Sequence, residues 1–255
     1  MAFPKTTCPQ AAFDLNAIEA GFQQGAKAII VCNPSNPCGK VFSRTELEQI
    51  GALALRYDAF VITDEVYEHI VYAPNEHISI ASLPGMFGHT ITCSSLSKTY
   101  SITGWRLGYL IGPEYVIEAA KKVHDFLTVG AAAPLQEAAV TGLKFGEQYY
   151  KDLQEKYTSK RDLFLRGLDD IGIAHTVPEG AYYILLDIGE FGFASDLEFC
   201  EVLARDVGVG AVPGTSFFKE PVNNLIRLHF AKKDETLNEA LNRLADIRKK
   251  IPVRK

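Results

Sequence analysis

Three short apolar runs, "AIIVC" (28–32), "FVIT" (60–63) and "TITC" (90–93), constrain this chain more than any other feature. Each is too short for a helix and rich in β-branched residues. Each is also continuous rather than alternating, the pattern of a strand buried in a parallel sheet. Between the first two runs, the capping box Ser43-x-x-Glu46 opens a helical stretch that carries Leu47, Ile50 and Leu53 on one face. Leu15, Ile18 and Phe22 make a helical face before the first run, and Val116, Ala120, Val123 and Leu127 make another after Pro113. Strand and helix in alternation predict an α/β domain with a parallel sheet.

The texture changes near residue 146. Tyr150, Leu153, Tyr157, Phe164 and Leu168 fit one long helix that breaks at "GIAH". Beyond it come strand-like "AYYILLD" (181–187), a second capping box at Ser195-x-x-Glu198, strand-like "VGAV" and "LIRLHF" (225–230), and a helix through Leu237, Leu241 and Leu244. The predicted organisation is an α/β domain over 1–145 and a smaller α+β domain over 146–255, bridged by the long helix. With 255 residues the chain has enough length to bury a core in each.

Bulk properties exclude several functions. The formal net charge is −5, and the one basic run, from Arg248 to Lys255, reads as a solvated helix end. No nucleic-acid partner is expected. No apolar run approaches the ~20 residues of a membrane helix, so no membrane association is expected. The first residues lack a basic segment followed by an apolar one, which argues against secretion. Five cysteines (Cys8, Cys32, Cys38, Cys93 and Cys200) are scattered without a C-x-x-C, so neither a disulfide framework nor a zinc site is indicated. A reducing, cytoplasmic setting is the expectation. Ser95-x-x-Lys98 matches the S-x-x-K of penicillin-binding enzymes, yet no S-D-N or K-T-G accompanies it. "GVGAVPG" (208–214) misses the dinucleotide fingerprint, no G-x-S-x-G or H-E-x-x-H occurs, and the six histidines show no metal-ligand spacing.

Ligands of open α/β sheets bind beyond the carboxyl ends of the strands, which directs attention to the residues after each run. After the first comes "NPSNPCGK", stiff and turn-like, with Asn33 and Asn36 at the strand exit. The second leads into "DEVYEH", where a turn of helix would let Asp64 and Tyr67 reach one ligand. After the third comes "SSLSK", which relates Ser95 and Lys98 in the same way, with Arg106 eight residues further on. An amine nucleophile in a crevice suits a carbonyl cofactor, and pyridoxal 5'-phosphate also needs an acidic partner for its ring nitrogen. Asp64 fits that partner, and Tyr67 and Asn36 can reach the ring's phenolic oxygen. Ser95 and Arg106 fit the phosphate. Lys98 is the expected catalytic residue, able to move the proton at the substrate's Cα.

"NPSNPCGK", "DEVYEHIVY" and "SSLSKTYSITGWRLGY" resemble, in order and separation, the class I aminotransferases of fold-type I. The likeness continues through "PEGAYYILLD" and "NNLIRLHFAKK". It implies a partial pyridoxal-phosphate-dependent transferase-like large domain, mostly parallel in its sheet, with a smaller α+β C-terminal domain. It further implies that Lys98 forms the Schiff base, that Asp64, Tyr67, Asn36, Ser95 and Arg106 hold the cofactor, and that Arg227 and Asn36 bind substrate, with Arg227 clamping the α-carboxylate. Transfer of an amino group from an amino acid to a 2-oxo acid is the implied reaction. A C–S lyase of the same fold, or a truncated cofactor-binding fragment without turnover, is the alternative. "KVHDFLTVGAAAPLQ" and "LHFAKKDETL" are most similar to the kynurenine, glutamine and methionine aminotransferase branch, which suggests aromatic or sulfur-bearing donors.

Members of that family are longer, and this chain begins just before the strand that leads to Asn36. The family's first part supplies a substrate-covering segment, a phosphate loop, an aromatic ring stacked on the cofactor, and a tyrosine that crosses to a second subunit. None of these is recognisable here; Phe3 and Phe13 are weak candidates for the ring. A homodimer, or completion by a missing N-terminal segment, is therefore expected, and part of the sheet should lie open.

Overall fold

A computed structural model describes residues 14–218 and 222–254; Phe3, Cys8 and Phe13 lie outside them. The chain divides into two units. One comprises residues 14–35 and 41–154, and the other residues 36–40 with the chain from Glu155 on.

In the first unit the order is α1 (Leu15–Gln23), β1 (Ala28–Cys32), α2 (Arg44–Arg56), β2 (Phe60–Asp64), β3 (Thr90–Ser95), α3 (Leu96–Thr99), β4 (Gly108–Ile111), α4 (Glu114–Thr128) and α5 (Ala133–Leu143). α6 (Glu147–Ile171) then crosses the division between units. The sheet runs β1-β2-β3-β4; the first three strands are parallel and β4 is antiparallel to β3. All three apolar runs are strands, as their composition predicts. β4 was not foreseen. It depends on Gly108, where a Cβ would stand 2.8 Å from the Ser94 carbonyl oxygen.

α2 forms as its capping box requires: Ser43 accepts from the Glu46 amide, and the Glu46 carboxylate accepts from the Ser43 amide at 2.8 Å. Its apolar face, Leu47, Ile50 and Ala54, packs on Val31 and Val61 with Ile80, Leu83 and Met86. Each such leucine or isoleucine contributes about 1.5–3 kcal/mol relative to exposure. Burial follows the two-residue period of a strand, so only this face of the sheet is deeply covered. The opposite face differs from the two-sided burial that "AIIVC" predicts, for Ile30 remains 75% exposed. α4 departs from expectation in the same direction, since none of its residues is buried.

The second unit holds β5 (Tyr183–Asp187), α7 (Asp196–Val202), β6 (Val212–Pro213), β7 (Leu225–His229) and α8 (Asp234–Ala245). Its sheet is antiparallel in the order β5-β7-β6. "VGAV" contributes only its last residue to β6. Ser195 caps α7 by accepting from the Glu198 amide, while the Glu198 carboxylate pairs with Arg254 at 2.7 Å. Phe164, Leu168, Ile184, Phe199, Phe230 and Leu244 lie in its interior. Segment 36–40 joins this unit through Gly39, whose carbonyl accepts from the amides of Glu179 and Gly180. A Cβ at Gly39 would come within 2.5 Å of Pro178 Cβ, so the contact needs glycine. No helix among the described residues is long and apolar enough to cross a membrane.

Candidate active site

Strand register sets the first unit's site. Cys32 pairs with Asp64 and Asp64 with Cys93, so these residues share one row across the sheet; Ser95 lies two further along β3. By strand alternation, Asp64, Cys93 and Ser95 point to the less covered face. β4 closes the row by bringing Gly108 opposite Ser95.

Asp64 is exposed, and among the described residues its Oδ1 accepts only from the Val66 amide, at 3.3 Å. No cation pairs with it among the described residues. The segment after it is a set of hydrogen-bonded turns rather than a turn of helix, with Glu68 N–H donating to Glu65 O and Ile70 N–H to Tyr67 O. Tyr67 is buried there, at 2% exposure.

Ser95 caps α3, the single helical turn that carries the half-buried Lys98. The Ser95 Oγ accepts from the Ser97 amide at 3.1 Å and donates to Leu107 O at 2.9 Å, so its hydroxyl proton is already engaged. Arg106 is exposed and holds a left-handed backbone, with φ of 58°. A bulky residue adopts that conformation at a cost, and such strain concentrates where a side chain must be presented. Its guanidinium donates to Thr103 O at 3.1 Å and meets no carboxylate among the described residues. Arg106 borders a cavity of about 500 Å³ that is also lined by Cys93, Tyr109, Lys121 and His124. Burial, reinforced by Asp64 and Glu65, pushes the Cys93 thiol above its ordinary pKa.

A polar network behind this row escaped sequence reading. Glu65 is 2% exposed; it accepts from Ser79 Oγ at 3.0 Å, and His77 Nε2 stands 3.2 Å away, within ion-pair range though off-angle for a hydrogen bond. Glu68 accepts from Ser94 Oγ and Tyr109 Oη, both at 2.9 Å. Burial chiefly, with Glu68 adding to it, holds the Tyr109 phenol up to about 12. The ligand atoms of Glu65, Glu68 and His77 come within 4.8 Å of one another, a grouping that residue spacing does not reveal. His69 is half-buried against Tyr150 at 4.4 Å between ring centroids.

Asn36 and Arg227 meet in the second unit, although 191 positions separate them in sequence: Arg227 Nη1 donates to Asn36 Oδ1 at 2.5 Å. The guanidinium carbon lies over the Tyr183 ring at 4.3 Å and over the Phe217 ring at 4.4 Å. Two ring faces and an amide oxygen hold the fork in place, and no carboxylate among the described residues neutralises it. Tyr183 and Phe217 were not singled out in the sequence. Tyr183 was visible only as part of a strand.

Comparisons with known proteins agree with this architecture. Residues 2–244 match the family profile "Aminotransferase class I and II". Human kynurenine–oxoglutarate transaminase 3 is 35% identical over 247 residues, covering 89% of this chain and 54% of that protein. Among solved structures, the N-succinyldiaminopimelate aminotransferase of Mycobacterium tuberculosis superposes with a TM-score of 0.87 at 35% identity, over 92% of this chain and 62% of that one. YbdL of Escherichia coli, described with a methionine aminotransferase function, gives a TM-score of 0.88 at 32% identity, over 94% of this chain and 63% of its own. The chain thus spans between about half and two thirds of the length of these proteins. Its mostly parallel first sheet is part of the pyridoxal-phosphate-dependent transferase fold they share. With the profile matching nearly the whole sequence, the chain belongs to the class I and II aminotransferases.

Proposed function

We propose that this chain holds pyridoxal 5'-phosphate in the first unit and serves the transfer of an amino group from an amino acid to a 2-oxo acid. The observation that carries the reading is a complementary pair on one open sheet end: Asp64 has no cation, and Arg106 no carboxylate, among the described residues. A cationic ring nitrogen and a phosphate are the groups such residues lack. Asp64 would keep the ring nitrogen protonated, and Tyr67 and Asn36 would hold the phenolic oxygen. Arg106 would grip the phosphate with its fork, joined by Ser95 once its O–H turns from Leu107 O. When bound, the cofactor supplies a sink for the electron pair left as a bond to the substrate's Cα breaks.

Lys98 is the residue that anchors the cofactor and then acts as general base. Its amine would take up and hold the proton that leaves the substrate's Cα. Arg227 would bind the substrate's α-carboxylate; its ring-sandwiched fork matches a carboxylate edge-on. Aromatic or sulfur-bearing donors, a cytoplasmic location, a homodimer or completion by a further segment, and the division at 1–145 and 146–255 belong to the same reading. Retention of the cofactor without turnover is a second reading, favoured by the uncovered face of α4.

The test adds pyridoxal phosphate to the purified chain, fixes it with borohydride and maps the product by mass spectrometry. The cofactor should be found on the peptide that carries Lys98 and be lost in Lys98→Ala. Labelling spread evenly over surface lysines would overturn the assignment. Labelling at Lys98 without amino-acid-driven change in the cofactor's spectrum would select retention over turnover.

A further inference from the structure

α3 is a single turn, so its last carbonyls have no partner within the helix. The loop after α3 satisfies the first two: Tyr100 N–H donates to Leu96 O, and Ile102 N–H and Thr103 Oγ1 donate to Ser97 O. Thr99, next to Lys98, is only 3% exposed, and water cannot readily serve its carbonyl. Tyr149, in the first turn of α6, donates its phenolic O–H to Thr99 O at 2.8 Å.

Tyr149 is itself held. Its ring stacks on Tyr100 at 5.7 Å and lies 4.7 Å from Phe145. Tyr100 is seated closely against α5, where a Cβ on Gly142 would stand 3.0 Å from its ring. The Tyr100 and Tyr150 hydroxyls are 2.8 Å apart, and Tyr150 packs on His69, two residues beyond Tyr67. Two consecutive tyrosines of α6 thus reach both segments that bear the candidate chemistry, 67–69 and 98–100. All of these residues lie in the first unit.

We propose that Tyr149 is a positioning residue for Lys98, fixing the turn that carries the lysine by completing the hydrogen bond of the Thr99 carbonyl. The proposal rests on Lys98 as the cofactor lysine, because a small displacement of a reacting group is costly only where chemistry occurs. Tyr150, acting through Tyr100 and His69, has the secondary task of holding the Tyr67 turn beside it.

Tyr149→Phe keeps the ring and deletes the donor, and Tyr115→Phe on exposed α4 is the control. Amide hydrogen exchange of the peptide over 96–102 needs no cofactor. It should quicken about tenfold in Tyr149→Phe, as one lost buried hydrogen bond allows, and stay unchanged in the control. In the same proteins, the pyridoxal phosphate concentration for half-maximal borohydride labelling of Lys98 should rise about tenfold, and the pH at which the bound cofactor's visible band titrates should shift. Unaltered exchange in Tyr149→Phe would overturn the clamp. Faster exchange with unaltered labelling and titration would make Tyr149 structural only and overturn its positioning role. A wild-type chain that never labels Lys98 would instead strike the cofactor reading and the role with it, while the exchange result still decided the clamp.

Discussion

At the scale of single residues, the candidate residues of each unit are charges without opposite partners among the described residues. Exposed pairs such as Lys121–Glu118 and Arg243–Glu239 are satisfied locally and contribute little. Asp64, Arg106 and Arg227 are different, since each is held by neutral groups and open to a charged ligand. His69 adds a measurable consequence. Burial, the largest cause, and the nearby His77 lower its pKa below the ordinary 6.5, with Glu68 opposing them. The unfolded chain therefore binds the proton more readily than the folded one, so the stability tied to neutral His69 is complete above 6.5. It falls as pH drops through 6.5 toward the lower folded value. Urea midpoints followed by circular dichroism should decline between pH 7 and 5, and His69→Gln should flatten that decline. An equal decline in both proteins would show that His69 is not the group responsible.

Elements differ in how far their causes are local. α2 carries its own instructions, with cap, box and apolar stripe all within thirteen helical residues and the serine before them. Ser43→Ala should cost about 1 kcal/mol through the lost cap, whereas Leu47→Ala, emptying a side chain that is 1% exposed, should cost about 2–5 kcal/mol. Chemical denaturation of both variants checks the order, and a cap loss equal to the core loss would contradict it. The strand that ends in Asp64 and the strand that leads to Lys98 were legible for the same reason: a β-branched run ended in polar residues. β4 was not, because its four residues become a strand only beside β3 and through the close approach at Gly108. Nor were Glu65, Glu68 and His77, which a turn and a loop fold together, or Tyr149, whose partner Thr99 lies 50 positions earlier. Asn36 was marked by its place at a strand exit and Arg227 by family resemblance; their hydrogen bond and the two flanking rings needed the fold.

On the scale of the whole chain, the uneven covering of the first sheet is the main physical consequence. β1 and β4 are its edges, with Ile30, Tyr109, Leu110 and Ile111 exposed on them. α4 separately leaves Val123, Phe126 at 92% exposure and Leu127 at 76% in water. Large apolar side chains left in water favour association, and sheet edges add backbone donors and acceptors that attract other strands. The helical period of Val116, Ala120, Val123 and Leu127 therefore marks an apolar stripe that is half-buried at Val116 and Ala120 and left in water at Val123 and Leu127. The purified chain should bind a hydrophobic dye and self-associate with rising concentration in sedimentation velocity. Phe126→Glu with Leu127→Glu should weaken both behaviours while leaving helicity and urea midpoint unchanged, since neither side chain supports the core. A chain that stays monomeric and dye-silent before mutation would show that these side chains are solvated as an ordinary surface. A loss of stability in the double variant would instead place them in contacts that hold the fold.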